Sequence, residues 1–253
     1  MRTVAIIQAR MGSSRLPGKV LADIGGAPML ARVIERAQAA ATISAVVVAT
    51  TTDPADDALL PVARAAGAQV YRGSTDDVLA RYVGAARTHQ AQVVVRLTAD
   101  CPLLDPAVID AVVEGLLTTP GCDYASNTHQ RTFPRGLDVE AMHLATLERL
   151  AVIASLPAHR EHVTAYLLDN SAEFAIAQLC ADDDHTALRW TVDTALDLAL
   201  VRRLYADAGA HPRLPYQALV AWLARHPSLA AFNAEVPQRS WRHAAVEERR
   251  RNG

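Results

Sequence analysis

The densest chemistry in the chain lies near its start, in Ala9-Arg10-Met11-Gly12-Ser13-Ser14-Arg15-Leu16-Pro17-Gly18-Lys19. Three cations, two glycines and a proline crowd into this stretch. Glycine permits backbone conformations that aim successive N–H groups at one anion, and Arg and Lys add the charge that a polyphosphate needs neutralised. Two readings stand: a triphosphate cradle, or a solvated basic turn. The P-loop pattern GxxxxGK[ST] does not apply, because Gly18-Lys19 runs into Val20 and leaves no hydroxyl to hold magnesium.

Two aspartates sit where a metal could be held. Asp100 follows an apolar run, and a hard carboxylate there suits Mg²⁺, which takes one or two protein carboxylates plus phosphate oxygens and water. Asp193 lies in a Val-Asp-Thr turn that opens a helix, so it is either a second ligand or an N-cap. Between these and the first loop, Ser74 to Arg81 opens another helix whose N-terminal amides can face a base or ribose, with Arg72 and Ser74 as the contacts. Asp76 and Asp77 there read equally well as first-turn acids that favour the helix dipole.

These groups need elements to position them. Thr3 to Gln8 is a short β-branched run without helical period, and Ser44 to Thr51 repeats it, as strands covered on both faces do. Met29 to Ala41, Ala55 to Ala66 and Asp76 to His89 read as helices, with strands at Gln69 to Tyr71 and Gln92 to Leu97. Strands alternating with helices imply an α/β, doubly wound, mostly parallel sheet, which binds ligands outside the carboxyl ends of its strands. From about residue 121 the pattern changes to strands at Tyr124 to Asn127, Gly136 to Met142, Phe174 to Leu179 and Leu188 to Val192. These are expected to extend a mixed sheet edge and form a small flap. Helices at Thr194 to Gly209 and Pro215 to Arg225 close one domain over 1–238. Its nucleotide half is about 1–120 and its acceptor half about 121–210, and a charged tail, 239–253, has nothing to bury.

Read as a whole, IIQARMGSSRLPGKVL resembles the opening of the SpsF-type polysaccharide biosynthesis proteins, relatives of the CMP-sugar synthetases that activate sialic acid and Kdo. Their first loop has the form PARxxSxRxPGK; Gln8 replaces the proline, and Ala9, Arg10, Ser13, Arg15, Pro17, Gly18 and Lys19 fit. The likeness continues through Arg72 to Tyr82, Thr98 to Leu103, Gly136 to Glu140, Arg160 to Thr164 and Arg189 to Thr194, over roughly residues 1–210. It implies a GT-A-like, Rossmann-like nucleotidyltransferase fold, CTP as donor, Mg²⁺ as cofactor, and a homodimer. Asp100 and Asp193 match the two metal-holding acids of the Kdo-activating relatives. Arg10, Arg15 and Lys19 are then expected to bind the β- and γ-phosphates and stabilise departing pyrophosphate, with Ala9, Gly12, Ser13 and Thr98 around the nucleotide.

The implied reaction transfers CMP to a sugar-like acceptor, whether an acidic sugar, a sugar phosphate or a phosphonate. Acceptor contacts are expected in the second half, from Asn127, Arg131, Arg135, Asp138, Glu140, Glu161 and His162, each of which also reads as a polar or charged surface group. Competing readings are a GT-A glycosyltransferase using Asp182 and Asp184 as a DxD motif, and a non-catalytic nucleotide-binding module. Acid runs such as Asp182-Asp183-Asp184-His185 are more often solvated loops. Cys101 reads as a small apolar filler, and Trp190, Trp222 and Trp241 show no base-stacking pattern.

Bulk properties narrow the classes further. A net charge of −2 provides no global field for nucleic acid or an anionic membrane, and no apolar run reaches the roughly 18 residues needed to span a bilayer. The cytoplasm is the expected compartment. Three cysteines without CxxC spacing argue against a disulfide framework or a zinc knuckle. Hydrophobic residues at 51% with aromatics at only 5% favour small-residue packing of helices on a sheet.

Overall fold

A computed structural model describes residues 1–211 and 214–238; the tail expected over 239–253 lies outside the described residues. Its strands are β1 (Thr3–Gln8), β2 (Asp23–Ile24), β3 (Ala27–Pro28), β4 (Ala45–Thr51), β5 (Gln69–Gly73), β6 (Val93–Thr98), β7 (Tyr124–Ser126), β8 (Glu140–His143) and β9 (Ile176–Gln178). The helices are α1 (Met29–Gln38), α2 (Leu59–Ala65), α3 (Val78–Thr88), α4 (Pro106–Thr118), α5 (Leu144–Ile153), α6 (Pro157–Glu161), α7 (Ala165–Asp169), α8 (Ala195–Asp207), α9 (Tyr216–Ala224) and α10 (Pro227–Ala230).

Seven strands form one sheet in the order β5-β4-β1-β6-β8-β7-β9. β1 pairs in parallel with both β4 and β6, and β4 with β5; β8 alone runs against its neighbours β6 and β7, while β9 lies parallel to β7. The later strands thus extend the sheet as a mixed edge, and the separate two-stranded piece is β2–β3, just after the first loop.

The unbroken apolar runs are explained by burial on both faces. Ala5, Ile7, Val46, Val48, Val93 and Val95 belong to one core with α1, α2, α4, α8 and α9. Val4, Ile6, Val47, Ala49 and Val94 turn the other way, into a second core with α3, α5 and α7. Period-2 alternation is therefore present in the packing and invisible in the polarity, as a central parallel strand requires.

Local chemistry shifts several predicted boundaries. The helix expected from Ala55 opens as a 3-10 turn at Pro54–Ala58 before α2, and the helix expected from Asp76 starts at Val78, with Asp77 accepting from the Ala80 N–H. Such caps contribute about 1 kcal/mol. The strand expected from Gly136 shortens to β8. Leu188 to Val192 is no strand at all: it makes an isolated bridge to Arg135, and its amides go to loops, Trp190 N–H to the Arg135 carbonyl and Val192 N–H to that of Asp100. That correction matters, because it stitches the 188–193 segment to the turn after β6. Among the described residues, no helix is long and apolar enough to cross a membrane.

Candidate active site

From β1 the chain builds outward to β4 and β5 on one side, and β6 adds on the other, so strand order reverses between β1 and β6. The crevice outside their carboxyl ends is where such sheets bind ligands. The Ala9–Lys19 loop leaves β1 there, and Ala99 to Asp105 leaves β6. Buried Asp56, beyond β4, pins the loop by accepting the Met11 N–H at 2.7 Å. Its pKa is lowered: burial pushes it up, but the Met11 N–H and the hydroxyls of Thr51 and Thr50 outweigh that. Gly18, at φ 69°, supplies the left-handed turn that swings Lys19 back inward.

A cavity of about 410 Å³ opens over this crevice, and the predicted nucleotide residues Ala9, Arg10, Gly12, Ser13, Lys19 and Thr98 all line it, as does Arg15. The two predicted metal residues, Asp100 and Asp193, line it too. Lys19 Nζ sits between them, 3.0 Å from Asp100 Oδ2, 2.9 Å from Asp193 Oδ1 and 2.7 Å from the Val192 carbonyl. Burial would lower the Lys19 pKa, but the two carboxylates outweigh it and hold the ammonium above its ordinary value. Asp193 is held below the ordinary carboxylate value: burial raises it, while Lys19, Arg15 and Arg189 lower it further. Arg15 Nη2 reaches Asp193 Oδ2 at 2.9 Å, and Arg189 Nη2 reaches the same oxygen at 2.7 Å. Thr98 donates its hydroxyl to Asp100 Oδ1 at 2.6 Å.

The N-cap alternative for Asp193 falls to its neighbour. Thr194 caps α8 in a reciprocal box with Asp197, which leaves the Asp193 carboxylate for the cavity. Arg189, which orients Asp193 and ion-pairs with Asp197 at 3.0 Å, was not singled out from sequence; its position four residues before an acid was the available signal. Asp56 and Arg81 are further residues that sequence reasoning missed, since nothing local marks either as buried.

A second cavity, of about 600 Å³, adjoins the first, and the two share Thr98, Asp100, His162 and Asp193. Arg131, Arg135, Asp138 and His162, four of the predicted acceptor contacts, line it. Asp138 is already engaged by both Nη atoms of Arg131, at 2.6 and 2.8 Å. Among the described residues Arg135 has no such partner, and burial together with Arg131 and Arg189 pushes its pKa below the ordinary arginine value.

Other predicted contacts are placed elsewhere. Asn127 is fully buried and lines neither cavity: it donates to the Leu137 carbonyl at 2.7 Å and accepts the Val139 N–H at 2.9 Å, clamping the turn before β8. Glu140 borders the second cavity but is committed to Arg96, Tyr124 and Thr164. Glu161 lines the first cavity and not the second. Arg72 turns away to the Thr51 carbonyl and Asp57, and Ser74 accepts the Asp77 N–H, so neither lines a cavity.

Asp182 and Asp184 line neither cavity, and Asp184 accepts the Thr186 N–H at 2.8 Å within an exposed loop. Cys101 is buried, its thiol pKa raised by burial and then by Asp100. Trp190 is buried in the core and Trp222 stacks on His226; Trp241 lies outside the described residues.

A family model described as cytidylyltransferase matches residues 4–200. The spore coat polysaccharide biosynthesis protein SpsF of Bacillus subtilis is 33% identical over 232 residues, which cover 89% of this chain and 95% of that protein. A 3-deoxy-manno-octulosonate cytidylyltransferase of Trichlorobacter lovleyi is 39% identical over 123 residues, 48% of this chain and 47% of the relative. A solved cytidylyltransferase from Leptospira borgpetersenii superposes with a TM-score of 0.88 at 33% identity, covering 95% of this chain and all of that one.

Proposed function

The chain belongs to the cytidylyltransferase family, and from that premise we propose that it moves CMP from CTP onto an acidic sugar, releasing pyrophosphate, in polysaccharide biosynthesis. One observation carries the reading: a donor cavity lined by the basic loop and an acceptor cavity lined by Arg135 meet at Asp100 and Asp193. A group transferred from one ligand to the other must pass that border.

The acceptor oxygen attacks the α-phosphorus in line, and the protein supplies position and charge rather than a covalent intermediate. Arg10, Arg15 and Lys19 hold the tail phosphates and stabilise pyrophosphate as it departs. Arg135, half-buried and without an ion pair among the described residues, takes the acid group of the acceptor and so aims its nucleophile across the border. The donor set also suits Mg²⁺, because two hard carboxylates already converge on one cationic centre, the Lys19 ammonium. In this reading Asp100 and Asp193 would hold the ion, whose charge would offset that of the phosphates. The family likeness supports a homodimer, which sedimentation would test.

Pyrophosphate release, measured with each of the four nucleoside triphosphates, Mg²⁺ and a panel of acidic sugars, tests the proposal. Release is expected with CTP and an acidic acceptor. Consumption of nucleotide sugars instead, or saturable CTP binding with no turnover across the panel, would overturn it.

A further inference from the structure

Four cations line the donor cavity: Arg10, Arg15, Lys19 and Arg81. Two of them are already neutralised within the protein, Arg15 by Asp193 and Lys19 by Asp100 and Asp193. The other two are not. Arg10 makes no ion pair among the described residues, and Arg81, on α3, is only 3% exposed yet makes none either.

The acids nearest Arg81 are spent on other partners. Asp77 is engaged by Arg160 at 2.9 and 2.5 Å. Asp56 accepts the Met11 N–H and the hydroxyls of Thr50 and Thr51. One terminal nitrogen of Arg81 donates to the Ser74 carbonyl at 2.5 Å, but its Nε is buried with no hydrogen-bond partner among the described residues. Arg10 adds a like charge beside it; burial, with Arg10 contributing, lowers the Arg81 pKa.

A buried guanidinium with an empty donor and a like-charged neighbour is costly unless something compensates it. A neutral carbonyl would fill the donor and leave the charge. A phosphate oxygen supplies both the acceptor and the opposite charge, and guanidinium–phosphate hydrogen bonds are among the stronger ones. We infer that Arg81 joins Arg10 in an anion subsite for the triphosphate tail of the donor, beside the Arg15–Lys19 group that the aspartates tie down.

The inference rests on the cytidylyltransferase reading for the identity of the anion. Calorimetric binding of CTP, CMP and inorganic tripolyphosphate to the full chain tests it. Arg81→Met is expected to weaken CTP and tripolyphosphate by about 10- to 100-fold, the usual worth of a charged hydrogen bond, and to leave CMP within about 3-fold. Arg81→Lys, which keeps the charge and loses the fork, should fall between. Arg10 is exposed, so Arg10→Met should keep the fold. It should raise the melting temperature of the ligand-free chain by removing the like charge, and lower its tripolyphosphate affinity.

Equal losses for CTP and CMP would place Arg81 at the nucleoside and overturn the subsite, as would unchanged tripolyphosphate affinity in both variants. Tripolyphosphate binding that depends on Arg81, in a chain that releases no pyrophosphate from CTP, would support the subsite and sink the proposed transfer.

Discussion

Lys19 Nζ and Asp193 Oδ1 stand 2.9 Å apart although 174 residues separate them in the chain. The contact ties the loop after β1 to the segment before α8, and Asp100, from the turn after β6, closes it into a triad with one cation and two anions. The Lys19 and Asp193 side chains are only 11% and 15% exposed, so solvent screens them less than a surface pair. Two of the predictions that follow concern this triad itself, and two concern residues around it.

The pH dependence of stability should carry both partners' signatures. The Asp193 pKa lies below 3.8 in the folded chain, so its contribution is complete above 3.8 and is lost as pH falls through the folded value. That of Lys19 lies above 10.5, so its contribution is complete below 10.5 and is lost as pH rises through the folded value. Urea midpoints followed across pH should show Asp193→Asn differing from wild type by a constant amount at neutral pH and converging with it in acid. Lys19→Met should converge with wild type in strong alkali. Convergence of either variant near neutrality would contradict the shifts.

Arg135 and Asn127 looked alike in the sequence as polar candidates for the acceptor, and the structure separates them. Arg135→Ala should raise KM for acidic acceptors by about 10- to 100-fold, the worth of a charged hydrogen bond, with CTP affinity unchanged. Asn127→Ala strands the Leu137 carbonyl and the Val139 N–H in the interior, and should cost about 2–4 kcal/mol of stability. Where the variant remains folded, its acceptor KM should match wild type. Steady-state kinetics beside urea titration reads both; an acceptor defect in Asn127→Ala at full stability would reverse the assignment.

Gly136 holds φ at +101°, and a Cβ there would lie 2.5 Å from the Thr191 amide nitrogen and 2.6 Å from the Trp190 carbonyl carbon. Both obstacles are backbone, so no side chain can swing aside. Gly136→Ala should therefore destabilise by on the order of 3 kcal/mol and push the 188–193 segment outward. Because that segment carries Asp193, turnover should fall even in the folded fraction. A variant with a wild-type urea midpoint would show that the close approach relaxes.

What the sequence made legible follows from what kind of signal each feature leaves. β1, β4 and β6 were readable because burial on both faces demands an unbroken β-branched run, and that is a local signature. The loop from Ala9 to Lys19 stood out because glycines and cations crowd together in the chain there, and the structure places it at the crevice. Leu188 to Val192 looked like a strand because Leu188, Trp190 and Val192 alternate with polar residues, yet its amides bond to the Arg135 and Asp100 carbonyls, partners that no periodicity reveals. Arg81 was passed over for the opposite reason. A lone arginine within a helix usually marks the solvated face, and only the packing of α3 against the crevice buries it. Arg72 was misplaced because the carbonyls and acid that capture it belong to the neighbouring β4 exit.

Replacing Lys19 tests the triad from both sides. Its ammonium binds Asp100 and Asp193 in the ligand-free chain, yet the proposed reaction requires it on the phosphates and a divalent ion on the aspartates. Lys19→Met should therefore reduce pyrophosphate release by about 10²- to 10³-fold, the scale for losing one charge-stabilising donor. The same change removes the cation that neutralises the two carboxylates, so the ligand-free variant should bind Mn²⁺, an EPR-visible probe for Mg²⁺, more tightly than wild type does. Adding Asp100→Asn and Asp193→Asn should abolish that gain. Turnover loss without any gain in Mn²⁺ affinity would mean that the aspartates serve to position Lys19 rather than to hold a metal.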